Sequence, residues 1–139
     1  MEDPKKYTKI ELGFSKLSRA LISLEDIVFK PVLEDRSNID VSIQRFEFTI
    51  ELFWKLLRVI LESKGVKVQY PKDVLREAFK GHLIDHEQEW LKMLLDRNIT
   101  SHTYDEQLAG KIYNNIRSYI PTLRSTFDKL NFLNHLPYV

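Results

Sequence analysis

The chain has 139 residues, of which 43% are apolar and 29% charged, with a formal net charge of +1. These values suit a single water-soluble domain over residues 1–139 and exclude a global field that would draw in nucleic acid. The absence of cysteine excludes disulfides and thiolate chemistry. The acidic Met-Glu-Asp-Pro start has no apolar h-region, and no apolar run reaches bilayer length, so the expected setting is cytoplasmic with no membrane contact.

Tyr7, Ile10, Phe14, Leu17, Leu21, Leu24 and Val28 recur at steps of three and four. This spacing predicts a first helix from about Tyr7 to Val28 with one apolar seam. Pro31 ends it, and Leu33 to Asn38 reads as a polar connector. A second helix is expected from about Ile39 to Lys64, stopped by Gly65. Its main stripe is Ile39, Ile43, Phe46, Ile50, Phe53, Leu57 and Ile60, widened by Trp54 and Leu61. A second stripe, Phe48, Leu52, Leu56 and Val59, lies on another side. Such a helix is either the central helix of a bundle or packs one stripe against a second subunit. The polar strip between the stripes, Glu47, Glu51, Lys55 and Arg58, reads as solvated, with Glu51 and Lys55 as an i,i+4 ion pair.

Pro71 suits the first position of a short third helix that Gly81 closes near Lys80. Asp85 with Gln88 reads as a capping box opening a fourth helix, which carries Trp90, Leu91, Leu94 and Leu95. The fifth helix is expected from about Asp105 to Leu130, with Leu108, Ile112, Ile116, Tyr119, Leu123, Phe127 and Leu130 as its stripe and a kink at Pro121, and the tail Asn131–Val139 fraying or docking loosely. No run reads as a strand. The fold class is therefore all-α: an antiparallel up-and-down four-helix bundle with an additional short helix.

The stretch Arg97-Asn98-Ile99-Thr100-Ser101-His102-Thr103-Tyr104 gathers a permanent cation, an imidazole, hydroxyls and a phenol. On an unbroken helix, residues five apart sit about 140° apart around the axis. For Arg97 and His102 to meet one ligand, the chain must turn or two copies must face each other. Asn98 tolerates the left-handed conformation that ends helices. Thr103-x-x-Glu106 reads as a capping box, with Asp105 as the rival N-cap. This reading puts Arg97 in a last helical turn, His102 in the corner, and Tyr104 at or just inside the next helix.

Those groups suit phosphate and RNA. An imidazole titrates near neutrality and serves as the base for a 2′-hydroxyl, or as the acid if its counterpart in a second subunit is the base. A guanidinium holds two phosphoryl oxygens and keeps its proton. His102 and Arg97 are thus the catalytic candidates, with Asn98, Thr100 and Ser101 as supporting residues. The plainer reading is that Arg97 and His102 satisfy carbonyls at a helix end. His82, Asp85, His86 and Glu89 form a rival cluster, but capping accounts for them, so no metal is expected. No cofactor is expected either.

Arg97-Asn98-x3-His102-x-Tyr104 resembles the Arg-x4-His-x-Tyr signature of the HEPN superfamily. More closely, three segments resemble the nucleotidyltransferase substrate-binding proteins: Phe46-Glu47-Phe48-Thr49 through Glu51-Leu52-x-Trp54-Lys55, Val74-x-Arg76-Glu77-Ala78-Phe79-Lys80-x-x-Leu83-Ile84, and Trp90-Leu91-x-Met93-Leu94-x-Asp96-Arg97-Asn98. The resemblance spans about residues 7 to 130. One departure is Tyr70 before Pro71, where relatives commonly carry a small capping residue.

The resemblance implies a helical-bundle homodimer whose signatures face a shared cleft, and a minimal nucleotidyltransferase encoded nearby as partner. It implies a metal-independent ribonuclease toxin acting on a transiently bound RNA substrate. The partner would silence that toxin by attaching AMP to Tyr104. The alternative it carries is a non-catalytic subunit that binds substrate for the nucleotidyltransferase.

Overall fold

The computed structural model describes residues 4–99 and 105–135, with side chains described from residue 9 onward. Five helices follow one another: α1 Pro4–Val28, α2 Ser37–Ser63, α3 Pro71–Lys80, α4 Glu87–Asn98 and α5 Glu106–Asn134. Among the described residues there is no strand.

Cross-contacts fix the directions. Arg45 of α2 donates to the Ser23 carbonyl of α1, and Gly13 of α1 lies against Leu56 of α2, so these helices run antiparallel. Phe14 packs edge-on to Phe127, and the Tyr113 hydroxyl donates to the Val28 carbonyl, so α1 and α5 are also antiparallel. α4 runs against both α2, through Phe53–Trp90, and α5, through Asp96–Tyr119. α2 and α5 are therefore parallel to each other, with Phe46 stacked on Tyr119 between them. α3 packs on α2 and α4. The result is the up-down-up-down bundle with one short extra helix.

The predicted seams are the core. Leu17, Leu21, Leu24 and Val28 of α1 are fully buried, as are Phe46, Phe53, Leu57 and Ile60 of α2 and Ile116, Leu123 and Leu130 of α5. All the buried apolar side chains belong to one connected cluster. The second stripe of α2 divides. Leu56 is core, because α1 approaches so closely at Gly13 that a Cβ there would lie 2.9 Å from Leu56 Cδ1. Leu52 and Val59 are half-buried, whereas Phe48 is 60% exposed.

Helix ends account for most differences from the sequence reading. α2 starts at Ser37, after Arg36 in a left-handed conformation (φ 62°). The Asp35 carboxylate accepts from the Ser37 amide there, which holds its pKa below the ordinary value. Gly65 (φ 86°) ends α2 in a Schellman motif, with Gly65 N donating to Glu62 O and Val66 N to Leu61 O. α3 ends in the same motif, but the left-handed residue is His82 (φ 60°) and Gly81 stays at φ −84°.

The expected Asp85 cap is not formed. α4 begins at Glu87, with left-handed His86 as N-cap and no side-chain capping bond. Asp85 then stands one residue too far out to reach the helix amides, and it pairs instead with Lys129 at 3.5 Å. α5 passes through Pro121 and continues to Asn134, beyond the expected end at Leu130.

Candidate functional site

Arg97 lies in the last turn of α4, where a cation also complements the helix dipole. It points across to the middle of α2. Its Nη2 is 3.0 Å from Glu51 Oε2, and its side chain remains 36% exposed. The same carboxylate oxygen accepts the Trp54 indole N–H at 3.0 Å, and Oε1 meets Lys55 Nζ at 3.3 Å. Burial alone would push the Glu51 carboxyl up. The bonds from Trp54 and Lys55 and the charges of Arg97 and Lys55 outweigh burial and hold it below the ordinary carboxylate value. Glu51 is therefore an anion at neutral pH and a fixed anchor for the guanidinium.

The residue before Arg97 is fastened from the other side. Asp96 is buried, and its Oδ2 accepts the Tyr119 hydroxyl at 2.6 Å and Asn115 Nδ2 at 3.1 Å. Burial, then the bond to Asp96, then the charges of Asp96 and Glu89 push the Tyr119 phenol far above its ordinary value, so it remains a donor. Nearer the start of α4, Glu89 accepts from Thr122. The end of α4 is thus clamped between α2 and α5, with Arg97 on the α2 side.

Asn98 is the last helical residue and is exposed. It does not take the left-handed turn expected of it. Ile99 follows at φ −100°, its amide donating to the Asp96 carbonyl, which closes the helix with a tighter last turn. Thr100, Ser101, His102, Thr103 and Tyr104 lie outside the described residues. The chain re-enters at Asp105, which caps α5 by accepting from the Gln107 and Leu108 amides at 3.0 and 3.3 Å. Asp105, not Thr103, is the N-cap, and α5 opens two residues after Tyr104 rather than at it.

The sequence reading found Arg97 but missed what holds it, since it puts Glu51 in a solvated strip and Trp54 in an apolar stripe. The Glu51–Lys55 pair exists, yet Arg97, 46 residues away, shares the carboxylate. Local spacing carries no signal for that contact. The rival cluster does not gather: Asp85 is paired with Lys129, Glu89 with Thr122, and His82 and His86 are exposed. Among the described residues, no group of three or more His, Cys, Asp or Glu side chains is placed to hold a metal ion. No helix among them is long and apolar enough to cross a membrane.

An all-helical bundle presenting an anchored arginine at a helix end defines a class that sequence comparison identifies directly. Residues 12–132 match the family described as "Nucleotidyltransferase substrate binding protein like", and the chain belongs to that family. It is 30% identical over 128 residues to the "Probable ribonuclease HepT" of Haemophilus influenzae, covering 86% of this chain and 88% of that one. A crystal structure from Thermus thermophilus superposes with a TM-score of 0.73 at 36% identity, covering 82% of this chain and 98% of that one. A second structure, from Haemophilus influenzae, is described as revealing the fold of a substrate binding domain of a nucleotidyltransferase. It gives a TM-score of 0.66 at 27% identity and covers 90% of this chain and 98% of that one.

Proposed function

We propose that this protein is the RNA-cleaving member of a two-protein module whose other member is a minimal nucleotidyltransferase. The observation that carries the reading is the Arg97 guanidinium, anchored by Glu51 yet 36% exposed, five residues before His102 in sequence. In this reading His102 takes the proton from a ribose 2′-hydroxyl, and that oxygen attacks the adjacent phosphorus. The 5′-oxygen leaves with a proton from a general acid, yielding a 2′,3′-cyclic phosphate and a 5′-hydroxyl. Arg97 neutralises charge growing on the phosphoryl oxygens. Asn98, Thr100 and Ser101 orient these groups. The step routes no bond through a metal.

The general acid is the His102 of a second copy, which calls for a homodimer. Two large exposed apolar side chains, one on α2 and one on the outward face of α4, support that assembly: Phe48 is 60% exposed and Leu95 is 61% exposed.

Regulation falls to Tyr104. Its phenolate oxygen attacks the α-phosphorus of ATP held by the partner, and pyrophosphate leaves. The appended AMP then fills the cleft and pairs with Arg97. A second reading, a non-catalytic subunit presenting substrate to the nucleotidyltransferase, is favoured by the description of the Haemophilus structure and by the net charge of only +1. The test is incubation with the partner and ATP, followed by peptide mass analysis and an RNA cleavage assay. AMP on the Tyr104 peptide, its loss in Tyr104→Phe, and silenced cleavage are expected. Modification of another tyrosine, or full cleavage by the modified protein, would overturn the regulatory mechanism. Absence of cleavage by the unmodified protein would favour the binding subunit.

A further inference from the structure

Arg97 is one of three cations tied into a single network on the surface between α2 and α4. Glu51 joins Arg97 at 3.0 Å and Lys55 at 3.3 Å, and it accepts the Trp54 indole at 3.0 Å. The guanidinium carbon of Arg58 sits 5.1 Å above the centre of the Trp54 ring. The Glu51 carboxylate therefore stands among three cations, with Glu47 and Glu62 on the same strip of α2 to either side. Among the described residues Arg58 has no ion pair.

The patch is ordered along α2. Lys55 lies one turn beyond Glu51, about 6 Å along the axis, and Arg58 about 10 Å beyond it. Lys55 is held by Glu51 and is 50% exposed, Arg97 is held by the same carboxylate and is 36% exposed, and Arg58 lies half-buried over the Trp54 ring. Glu51 and the Trp54 ring fix the two α2 cations, so little side-chain entropy remains to be lost on binding an anion.

We propose that Lys55 and Arg58 extend the Arg97 site as a row of phosphate contacts for a single RNA strand running along α2. The proposal rests on the reading that Arg97 receives an RNA phosphate. A row one side chain wide follows one backbone; a duplex would need contacts to two. With a net charge of only +1 on the whole chain, RNA affinity comes from local contacts such as these and not from a general field.

Full-length protein is titrated into a fluorescent single-stranded 2′-O-methyl RNA, which cannot be cleaved, and anisotropy is followed from 50 to 200 mM salt. Each phosphate contact contributes about 0.7 to the log–log salt slope for a single strand. Lys55→Gln with Arg58→Gln should flatten the slope by about 1.4 and remove about sevenfold of the affinity loss across that salt range. Lys92→Gln, on the exposed side of α4, serves as the control and should change neither. If Arg58→Gln loosens Trp54 and lowers the melting temperature, Lys55→Gln alone replaces the double variant and should flatten the slope by about 0.7.

Unchanged slope and affinity in the folded double variant would overturn the proposal, as would wild-type protein that does not bind this RNA. Salt-dependent capture of the partner protein in place of RNA would also overturn it. The two readings separate cleanly. Binding that depends on Lys55 and Arg58, with no cleavage of unmodified RNA, keeps the row and removes the nuclease. Cleavage lost in His102→Ala, with binding indifferent to Lys55 and Arg58, does the reverse.

Discussion

Replacing Tyr119 by Phe isolates the clamp that holds the end of α4. The substitution removes one oxygen and keeps the ring, so the stack on Phe46, with centroids 5.9 Å apart, is retained. What is lost is a 2.6 Å bond to Asp96 Oδ2, leaving a buried carboxylate with only the Asn115 amide as side-chain donor. A hydrogen bond to a charged group is worth about 1.5–3 kcal/mol. For a chain of this length each kcal/mol moves the melting temperature by about 3–4 °C, so a fall of about 5–10 °C is expected in differential scanning calorimetry at pH 7.

The phenol also sets a pH dependence. Its folded pKa is raised, so its contribution is complete below the ordinary tyrosine value of about 10 and declines above it, where the unfolded chain releases the proton first. Wild-type stability should therefore lose about 1.4 kcal/mol per pH unit more than Tyr119→Phe in that alkaline range. A melting temperature within about 2 °C of wild type at pH 7, or identical alkaline slopes, would show that Asp96 does not depend on Tyr119 and that α4 is held by apolar packing alone.

Two further substitutions probe the α2 side. Glu51→Gln keeps the shape but removes the charge that fixes Arg97, so kcat for RNA cleavage should fall about tenfold while KM changes less; Glu51→Asp should recover part of the loss. Because the Glu51 pKa is lowered, its pairing is present above the ordinary carboxylate value of about 4.3 and is lost as pH falls through the folded value, so wild type should weaken in acid more than Glu51→Gln. Phe48→Glu with Leu95→Glu should convert a dimer to monomer by light scattering while circular dichroism shows the bundle's helicity intact, since both side chains are more than half exposed. An unchanged dimer would place the subunit contact elsewhere.

How much of this was legible in the sequence depended on how local each cause is. The seams of α1, α2 and α5 follow from apolar spacing, because one buried stripe per helix is enough to set them. Pro71 and Gly65 act within a turn of their own position and were readable, while Asp105 was legible only as the rival of a Thr103 capping box. Asp85 was not, because His86 takes a left-handed conformation unusual for a residue with a side chain and shifts the start of α4 to Glu87. The same holds at His82, where the neighbouring Gly81 made the simpler claim on that conformation.

At the candidate site, Arg97 stood out as part of a spaced signature. Its anchor did not, since Glu51 already had a sufficient local partner in Lys55 and only packing of α4 on α2 brings the arginine to it. Tyr119 read as one more seam residue, because a stripe does not reveal that a buried phenol faces a buried carboxylate.

The central claim is that Arg97 and His102 together cleave RNA. Its most direct test is a cleavage assay with purified protein, without the partner and with a chelator present, comparing wild type with Arg97→Ala and His102→Ala. Wild type should cut single-stranded RNA to 2′,3′-cyclic phosphate ends, and both variants should be inactive while circular dichroism shows the bundle intact. Wild-type protein that cuts no RNA, or His102→Ala protein that cuts as well as wild type, would contradict the account.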